Sequence, residues 1–418
     1  MKLIKRTKLA AAIGTAALAG ALSASANAAI VLGGDNGWEV SYGGFVNLFY
    51  TQSDFEFAGG GSEDSSHLNE GLLPAFHTLT AKSPEIDGLK GTAQITFAPD
   101  SSGAKNKRLN KGGAEIDMRE VFFNVSGDFG TISAGRTLAL FQRQAILKDM
   151  TLFGMGALAG PDGGGTGLGR IGFGYVYPDF RTRFTYKTAD INGFNLEVGI
   201  FDPQEGASPS ETDTPQFQGE ASYTHAFEGG SFNAWFGLLW QEQEITSSPG
   251  IAAVPDSFVV DPVTGLATFT AGTPAIPGAT GDIESFGWNI GADIKFGGFN
   301  VVGSYYDGQA LGALLFALGG GDAWACSVTN CDEADNDGGY IQGSYTFNGK
   351  TKVGISWGYS SQDDNLAGAP DVDNELWTVG VYHDVNSWLK VIAEYNDHKS
   401  DFLANKAQSF SVGAFILW

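Results

Sequence analysis

The sequence predicts an all-β fold: a transmembrane antiparallel β-barrel of sixteen strands in one domain. Three observations support this prediction: an export signal at the start of the chain, a last strand that ends on an aromatic residue, and short segments of alternating polarity between them. After the export signal, no stretch offers the about 20 apolar residues that a membrane-spanning helix needs. The chain is therefore expected to cross a membrane with strands.

The beginning of the chain has the composition of a signal peptide. A positively charged start is followed by a short alanine-rich apolar run from Leu9 to Leu22 and by the small residues of Ala26-Asn27-Ala28. The charges come from Lys2, Lys5, Arg6 and Lys8. This pattern predicts cleavage ahead of Ala29, so that residues 1–28 are a signal peptide and residues 29–418 form the barrel.

The chain ends in a strand whose apolar side chains share one face. Successive side chains of a strand point to opposite sides. The residues that face lipid together are then Phe410, Val412, Ala414, Ile416 and Trp418. In a barrel, an aromatic ring at this end lies in the interfacial girdle. We therefore predict that this is the last wall strand and that it takes part in assembly.

Two kinds of connection divide the alternating segments. Seven short ones contain glycine or asparagine, as in Asn192-Gly193 and Asn348-Gly349, and tolerate the positive φ of two-residue hairpins. Eight others are long and polar: 54–72, 99–114, 137–171, 203–215, 245–281, 307–338, 361–373 and 398–406. Their alternation predicts sixteen strands, with the short turns and both chain ends on the periplasmic side. A barrel of this size has room for an aqueous channel.

The composition excludes one class of partner and suggests another. The formal net charge of −23 argues against nucleic acid, which binds to basic surfaces. Acidic loops are instead expected to meet outer-membrane lipid and lipopolysaccharide through divalent cations. One acidic group in the sixth long loop has suitable ligands for Ca²⁺ but lacks the EF-hand spacing: Asp332, Glu333, Asp335 and Asp337. A Ca²⁺ ion in this loop is the alternative to the expectation of no cofactor.

The two cysteines, Cys326 and Cys331, lie in a loop rich in glycine and aspartate. Export makes a disulfide between them possible. The small ring that it closes would stiffen the loop rather than hold the fold together. Two free thiols are the alternative, and metal binding is not expected because no histidine lies nearby.

Arginine is concentrated in one part of the chain. Six arginines lie between positions 119 and 183, and none follows them: Arg119, Arg136, Arg143, Arg170, Arg181 and Arg183. They flank the third long loop, which carries Asp149 and Asp162. An arginine that faces lipid at the midplane costs about 2–4 kcal/mol, so we expect these side chains to face the lumen or a rim. Wall cations opposite loop carboxylates would create a transverse field across a pore constriction. Alternatively, some of them only pin the loop by ion pairs.

One hairpin carries a family resemblance. Residues 119–136 read Arg-Glu-Val-Phe-Phe-Asn-Val-Ser-Gly-Asp-Phe-Gly-Thr-Ile-Ser-Ala-Gly-Arg. The R-x-x-x-F, G-x-F-G and G-R elements of this run resemble the fourth hairpin of general Gram-negative porins. The signal peptide, the strand count and the aromatic end also resemble that family, so the resemblance extends over the mature chain.

The resemblance implies a homotrimer of sixteen-stranded barrels whose third loop folds into the lumen as an eyelet. By that resemblance, Arg136 and Arg170 match wall arginines before and after the loop, and Asp162 matches an acid at its tip. The loop departs from the family in its run of glycines at 163–165 and in two apolar stretches, Ala139 to Phe141 and Met150 to Met155. These stretches either pack the loop against the wall or line an apolar selectivity patch.

These features predict a passive diffusion channel for small hydrophilic solutes and ions in the outer membrane of a Gram-negative bacterium, with size and charge filtered at the eyelet. One alternative is a channel selective for anions such as phosphate, or for sugars. Another is an adhesin or receptor barrel that binds through its loops. An enzyme is not expected, because the chain shows neither a G-x-S-x-G elbow nor an H-E-x-x-H pair.

Overall fold

The computed structural model describes residues 29–99, 116–161, 166–204, 210–246, 257–260, 267–270, 280–312, 324–326, 331–363, 371–401 and 406–418. The predicted signal peptide and Asp162 lie outside these residues. Within them, the chain forms one large antiparallel sheet that closes on itself. The wall has sixteen strand positions, which confirms the fold predicted from the alternation of turns and loops.

The first half of the wall follows the order of the chain. β1 (Ile30–Gly33) is a short strand beside β2 (Glu39–Glu56). β3 (Ser62–Asn69) and β4 (Phe76–Lys82) both pair with β2 and together form one interrupted wall position. The next strands are β5 (Lys90–Pro99), β6 (Ile116–Gly127), β7 (Gly130–Leu138), β8 (Phe180–Lys187), β9 (Phe194–Phe201), β10 (Ser210–Glu211), β11 (Gln216–Phe227) and β12 (Gly230–Thr246).

The second half continues in the same order and contains two small hairpins within loops. These hairpins are β13 (Ser257–Val260) with β14 (Ala267–Thr270), and β17 (Trp324–Cys326) with β18 (Cys331–Glu333). The wall strands are β15 (Thr280–Phe296), β16 (Phe299–Gln309), β19 (Asp335–Phe347), β20 (Thr351–Asp363), β21 (Val372–Asp384), β22 (Leu389–Ser400) and β23 (Lys406–Leu417). In the second hairpin the backbone register pairs Cys326 directly with Cys331. The disulfide between them stays a prediction.

The wall strands alternate between an apolar outer face and a polar inner face. On β15, Ile290 and Ile294 are 50% and 46% exposed, whereas Ser285 and Asn289 are 0% and 1% exposed. Alternation with a period of two is what a strand needs when one of its faces meets lipid and the other meets the lumen. The outer face is therefore the membrane-facing side of the barrel.

The tight turns have the backbone conformations that their sequences predict. Asn192 and Asn348 have φ angles of 55° and 50°, and the glycines after them, Gly193 and Gly349, have φ angles of 92° and 66°. Positive φ at both central positions gives a turn whose twist matches that of two paired strands. The short turns mark the periplasmic end of the barrel, and the longer loops mark the extracellular end.

The last strand closes the barrel against the first. β23 pairs with β2, with Leu417 opposite Phe45, and the backbone N–H of Trp418 donates to the carbonyl of Gly44 at 3.0 Å. The outer face of β23 exposes Phe410, Val412 and Ile416, while Ser411 and Phe415 are buried on its inner face. The apolar residues of β23 therefore face outward, as the alternation predicts. The role of this strand in assembly stays a prediction.

Residues 139–179, between β7 and β8, carry the helix α1 (Arg143–Lys148) and a 3-10 turn (Met150–Phe153). Ala145, Met150 and Met155 of this segment share one buried apolar cluster with the wall residues Tyr340 and Phe415. The apolar stretches of the segment thus pack it against the wall. Among the described residues, no helix is long and apolar enough to cross a membrane.

We expect an arginine at the middle of the outer face to destabilise the barrel. Ile290→Arg places a cation near half-height of β15, where the cost is about 2–4 kcal/mol, whereas Phe296→Arg at the periplasmic end of the strand costs about 0–1 kcal/mol. Urea unfolding midpoints of the two variants in lipid vesicles, followed by tryptophan fluorescence, measure the difference. Equal midpoints would contradict the assignment of this face to lipid.

Candidate functional site

The strongest charge cluster inside the barrel is centred on Arg143, at the start of α1. Its guanidinium donates to Glu220 from Nη2 at 2.7 Å and from Nε at 3.2 Å, and Nη2 also donates to Glu197 at 2.9 Å. Glu197 is on β9 and Glu220 is on β11, at inner-face positions. Burial would lower the pKa of Arg143, but the two carboxylates more than offset this effect and raise it. Arg143 therefore stays charged and holds α1 against the wall.

Glu197 extends the cluster to the neighbouring strand β8. Arg183 Nη2 lies 3.5 Å from Glu197 Oε1, and the hydroxyl of Thr185 donates to the same oxygen at 3.0 Å. The guanidinium of Arg183 also lies over the ring of Phe201, 5.9 Å from its centroid. The guanidinium groups of Arg143 on α1 and Arg183 on β8 thus lie next to the wall carboxylates Glu197 and Glu220.

The other end of α1 carries a second cation. Lys148 Nζ lies 3.2 Å from Asp293 Oδ2 on β15 and 5.6 Å from the ring centroid of Trp235 on β12. Lys295 approaches the same carboxylate oxygen at 3.6 Å. Burial lowers the pKa of Lys148, and Asp293 opposes this effect. We call Arg143, Lys148, Arg183, Glu197, Glu220 and Asp293 the inner charge cluster.

Side chains of the inner wall also hold the backbone of the segment that carries α1. Gln218 Oε1 accepts hydrogen bonds from the backbone N–H groups of Leu140 and Phe141, both at 2.8 Å. Glu394 Oε2 accepts from those of Met155 and Gly156, at 2.8 and 3.0 Å. Each of these two oxygens thus accepts from two buried backbone N–H groups that have no partner in a neighbouring strand.

Gln342 holds the middle of the same segment. Its Oε1 accepts from the backbone N–H of Met150 at 2.8 Å, and its Nε2 donates to the carbonyl of Lys148 at 2.7 Å. On the same strand, the hydroxyl of Tyr340 donates to the carbonyl of Ala145 at 2.8 Å. Contacts on β9, β11, β15, β19 and β22 therefore fix the segment to widely separated parts of the wall.

Arg170 and Asp149 occupy positions that differ from the predicted ones. Both side chains are buried, with Arg170 Nε 3.7 Å from Asp149 Oδ1, and Arg170 Nη1 donates to the carbonyl of Leu376 at 3.1 Å. Asp149 also accepts from the hydroxyls of Thr151 and Tyr175 at 2.6 and 2.8 Å. This pair is part of the packing between segment and wall, and neither side chain lines a solvent-filled passage in this structure.

The prediction that Arg136 faces the lumen is wrong. In the register of β7, Arg136 lies opposite Val121 of β6 and Thr182 of β8, and both of these side chains are exposed on the outer face. The next residue, Thr137, points inward and donates to the buried carboxylate of Glu120 at 2.8 Å. Because adjacent side chains alternate, Arg136 lies on the outer face.

The remaining predicted arginines lie on the inner side. Arg119 is the residue at which the pairing of β6 with β5 shifts register, and its Nη1 donates to the hydroxyl of Tyr177 at 2.9 Å. Arg181 is on the inner face of β8, where Nη1 lies 3.8 Å from Asp179 and Nη2 donates to the carbonyl of Asp202. Both arginines contact residues near the end of the segment at 139–179, Arg181 also bonds to Asp202 after β9, and neither joins the inner charge cluster.

Sequence analysis does not single out the acidic members of the cluster. Strand periodicity is the signal that finds them, since Glu197 lies between the outward Leu196 and Val198, and Asp293 precedes the outward Ile294. Their carboxylates must then face inward. Among the described residues, no group of three or more His, Cys, Asp or Glu side chains is arranged to hold a metal ion.

Comparison with known families identifies this barrel. A family model described as Gram-negative porin matches residues 14–403, which is most of the chain. The chain belongs to the Gram-negative porin family. It is accordingly an outer-membrane channel protein, as the resemblance implies.

Solved structures share the fold of this porin at low sequence identity. The outer membrane channel DcaP of Acinetobacter baumannii is 12% identical, with a TM-score of 0.63 over 93% of this chain and 100% of that one. An anion-selective porin from Comamonas acidovorans is 16% identical, with a TM-score of 0.61 over 91% and 100%. In-vitro folded OmpT of Vibrio cholerae, in a trimer form, is 16% identical, with a TM-score of 0.51 over 92% and 100%. No curated protein sequence matches the chain.

Removing the central cation of the inner charge cluster should release α1. In Arg143→Met, Glu197 and Glu220 are left buried without their main partner, and breaking a buried pair in this way costs about 3–5 kcal/mol. We expect a lower thermal unfolding midpoint and larger fluctuations of single-channel current. The double variant Arg143→Met, Glu220→Gln removes the carboxylate that has lost its partner and keeps the pair of Arg183 with Glu197, so it should recover most of the lost stability. If the double variant is no more stable than Arg143→Met, the ion pairs are not what holds α1.

Proposed function

We propose that this porin lets small hydrophilic solutes and ions diffuse passively across the outer membrane, and that the segment at 139–179 narrows the passage. The observation that carries this proposal is the inner charge cluster, in which Arg143 and Lys148 of α1 bind carboxylates of the inner wall directly and so place charged groups of both signs at one height of the lumen. Opposed charges at a narrow section create a transverse field that orders water and discriminates among solutes. An apolar solute would have to displace this water and would be excluded.

The identity of the filtering residues follows from their exposure. Arg143, Arg183, Glu197 and Lys148 keep between 7% and 19% of their side-chain surface accessible, whereas Arg170 and Asp149 keep none. We therefore assign the charge filter to the inner charge cluster in place of the Arg170–Asp149 pair. Asp162 stays a predicted member of the constriction, outside the described residues.

A liposome swelling assay tests the proposed function. Vesicles that contain the purified porin should swell in isotonic neutral sugars, at rates that fall steeply as the sugar grows from a mono- to a tetrasaccharide, because the narrowed lumen sieves by size. Heat-unfolded porin in the same vesicles is the control. Folded porin that gives no swelling with any sugar and no conductance would overturn the channel proposal and favour a loop-binding receptor.

We further propose a homotrimer, for which Arg136 gives the structural reason. An arginine on the outer face would cost about 2–4 kcal/mol if it met lipid at the midplane. Contact with polar groups of a second protomer removes this cost. The OmpT structure of Vibrio cholerae, which has a similar fold, is described in a trimer form, and this supports the proposal.

The substitution Arg136→Met should weaken the trimer. The methionine keeps much of the side-chain volume but donates no hydrogen bonds to a partner, so we expect the trimer to dissociate at a lower temperature on semi-native gels. Lys399→Met, on the outer face near the extracellular end, is a matched control that should leave this temperature unchanged. If the Arg136→Met trimer dissociates at the same temperature as the wild type, the outer face around Arg136 is not part of the protomer interface.

The extracellular ends of the strands offer a surface for lipopolysaccharide. Asp307 and Asp337 lie opposite each other on β16 and β19, and Asp335 lies opposite Asp363 on β20. Like charges in directly opposed positions repel, unless cations lie between them. Divalent cations between these carboxylates and lipid phosphates would remove the repulsion, and this supports the proposed lipid partner.

A further inference from the structure

Positive charge on the inner wall is concentrated at the periplasmic end. Lys187, Lys295, Lys352 and Lys390 are at the periplasmic ends of β8, β15, β20 and β22, at inner-face positions of each strand. Lys390 Nζ pairs with Asp384 at 2.5 Å, and Lys352 Nζ lies 4.3 Å from the ring centroid of Tyr382. We call these four the periplasmic lysines.

The inner wall toward the extracellular end is uncharged over much of the barrel. On β12, β15, β16 and β19 to β23, the described inner-face positions on the extracellular side of Asp293 and Glu394 carry no Asp, Glu, Lys or Arg. Buried amides and hydroxyls occupy these positions instead, among them Gln243, Asn289, Asn336, Gln362, Asn374 and Asn396. On these strands the periplasmic lysines have no counterpart at the other end of the lumen, where the inner-side cations are Arg119 and Arg181, near the extracellular ends of β6 and β8.

The extracellular end carries a large excess of carboxylates. They lie at outer-face positions near the extracellular ends of the strands and surround the mouth, and examples on successive strands are Glu242, Glu284, Asp307, Asp337, Asp363 and Asp373. Carboxylates also occur in the periplasmic turns, such as Asp128 and Glu228, but there the lysines balance them. The two ends of the channel thus differ in electrostatic potential, and the extracellular end is the more negative.

We propose that this charge asymmetry makes the porin rectify ion current, with the larger current when the extracellular side is positive. The inference rests on the proposed channel function and adds a direction to it. With that polarity, cations move from the acidic mouth into the pore, and anions move from the lysine-lined end into the pore. Both carriers then accumulate in the lumen. The opposite polarity withdraws both carriers and lowers the conductance.

Salt sets the size of the effect. The Debye length is about 10 Å at about 0.1 M salt and about 3 Å at about 1 M. At low salt, the fixed charges of each end therefore control the ions in the adjoining part of the lumen. We expect the currents at equal and opposite voltages to differ by about twofold in dilute KCl and to become equal when the charges are screened.

Planar bilayers that contain single porin insertions test the proposal. Gd³⁺ added to one chamber neutralises the carboxylates that face that chamber. The chamber from which Gd³⁺ abolishes rectification is therefore the one on the extracellular side. That chamber must be the one whose positive polarity gives the larger current. Equal currents in dilute KCl from a conducting porin would overturn the inference but leave the channel function intact, whereas a complete lack of conductance would overturn the channel function itself.

Charge-neutral variants assign the effect to residues. Replacing the four periplasmic lysines by glutamine should reduce the current ratio toward one in dilute KCl. The double variant Lys399→Gln, Lys406→Gln removes positive charge from the extracellular end, so it should keep or increase the ratio. A lysine variant that rectifies as the wild type does would show that the periplasmic lysines are not the cause.

Discussion

The backbone of the segments inside the barrel sets the constraint on which the rest of the structure depends. A buried N–H or carbonyl group must find a partner, and most of the described wall strands already pair on both of their edges. The partners must therefore come from wall side chains. Gln218, Gln342 and Glu394 supply them for the segment that carries α1, and Asn47 does so for Gly71 at 2.8 Å. An amide suits this task because it accepts with one atom and donates with the other.

Charge and amide contacts have different roles in the same lumen. The amide contacts fix backbone positions at no electrostatic cost, whereas the pairing of Arg143 with Glu197 and Glu220 must repay the desolvation of three charged groups. Bidentate geometry and the additional contacts of Thr185 and Gln144 offset part of that cost. A segment held by both kinds of contact is more rigid than one held by packing alone.

The sequence predicts the barrel well because its signals are local. Alternation within each strand and positive φ at the Asn-Gly turns need no information from distant residues. The face of Arg136 was also encoded locally, since Ile132 and Ala134 share its parity and face outward. The family resemblance implied that Arg136 faces the lumen, but in the structure Arg136 lies on the outer face, as the alternation along β7 indicates. By contrast, the partners of Arg170 and Arg143 depend on the path of the segment between β7 and β8, and strand periodicity contains no information on that path.

The closing pair of strands joins residues from opposite ends of the chain, with Phe45 opposite Leu417. Such a contact has nearly the largest sequence separation that the chain allows, so the entropy of closing the loop must be overcome before the pair contributes any stability. Until β2 and β23 meet, two strand edges with unpaired backbone groups are open to other chains and unable to enter lipid. A nascent porin that has crossed into the periplasm is thus prone to aggregation for as long as closure takes, and the cell must keep it apart from its neighbours during that time.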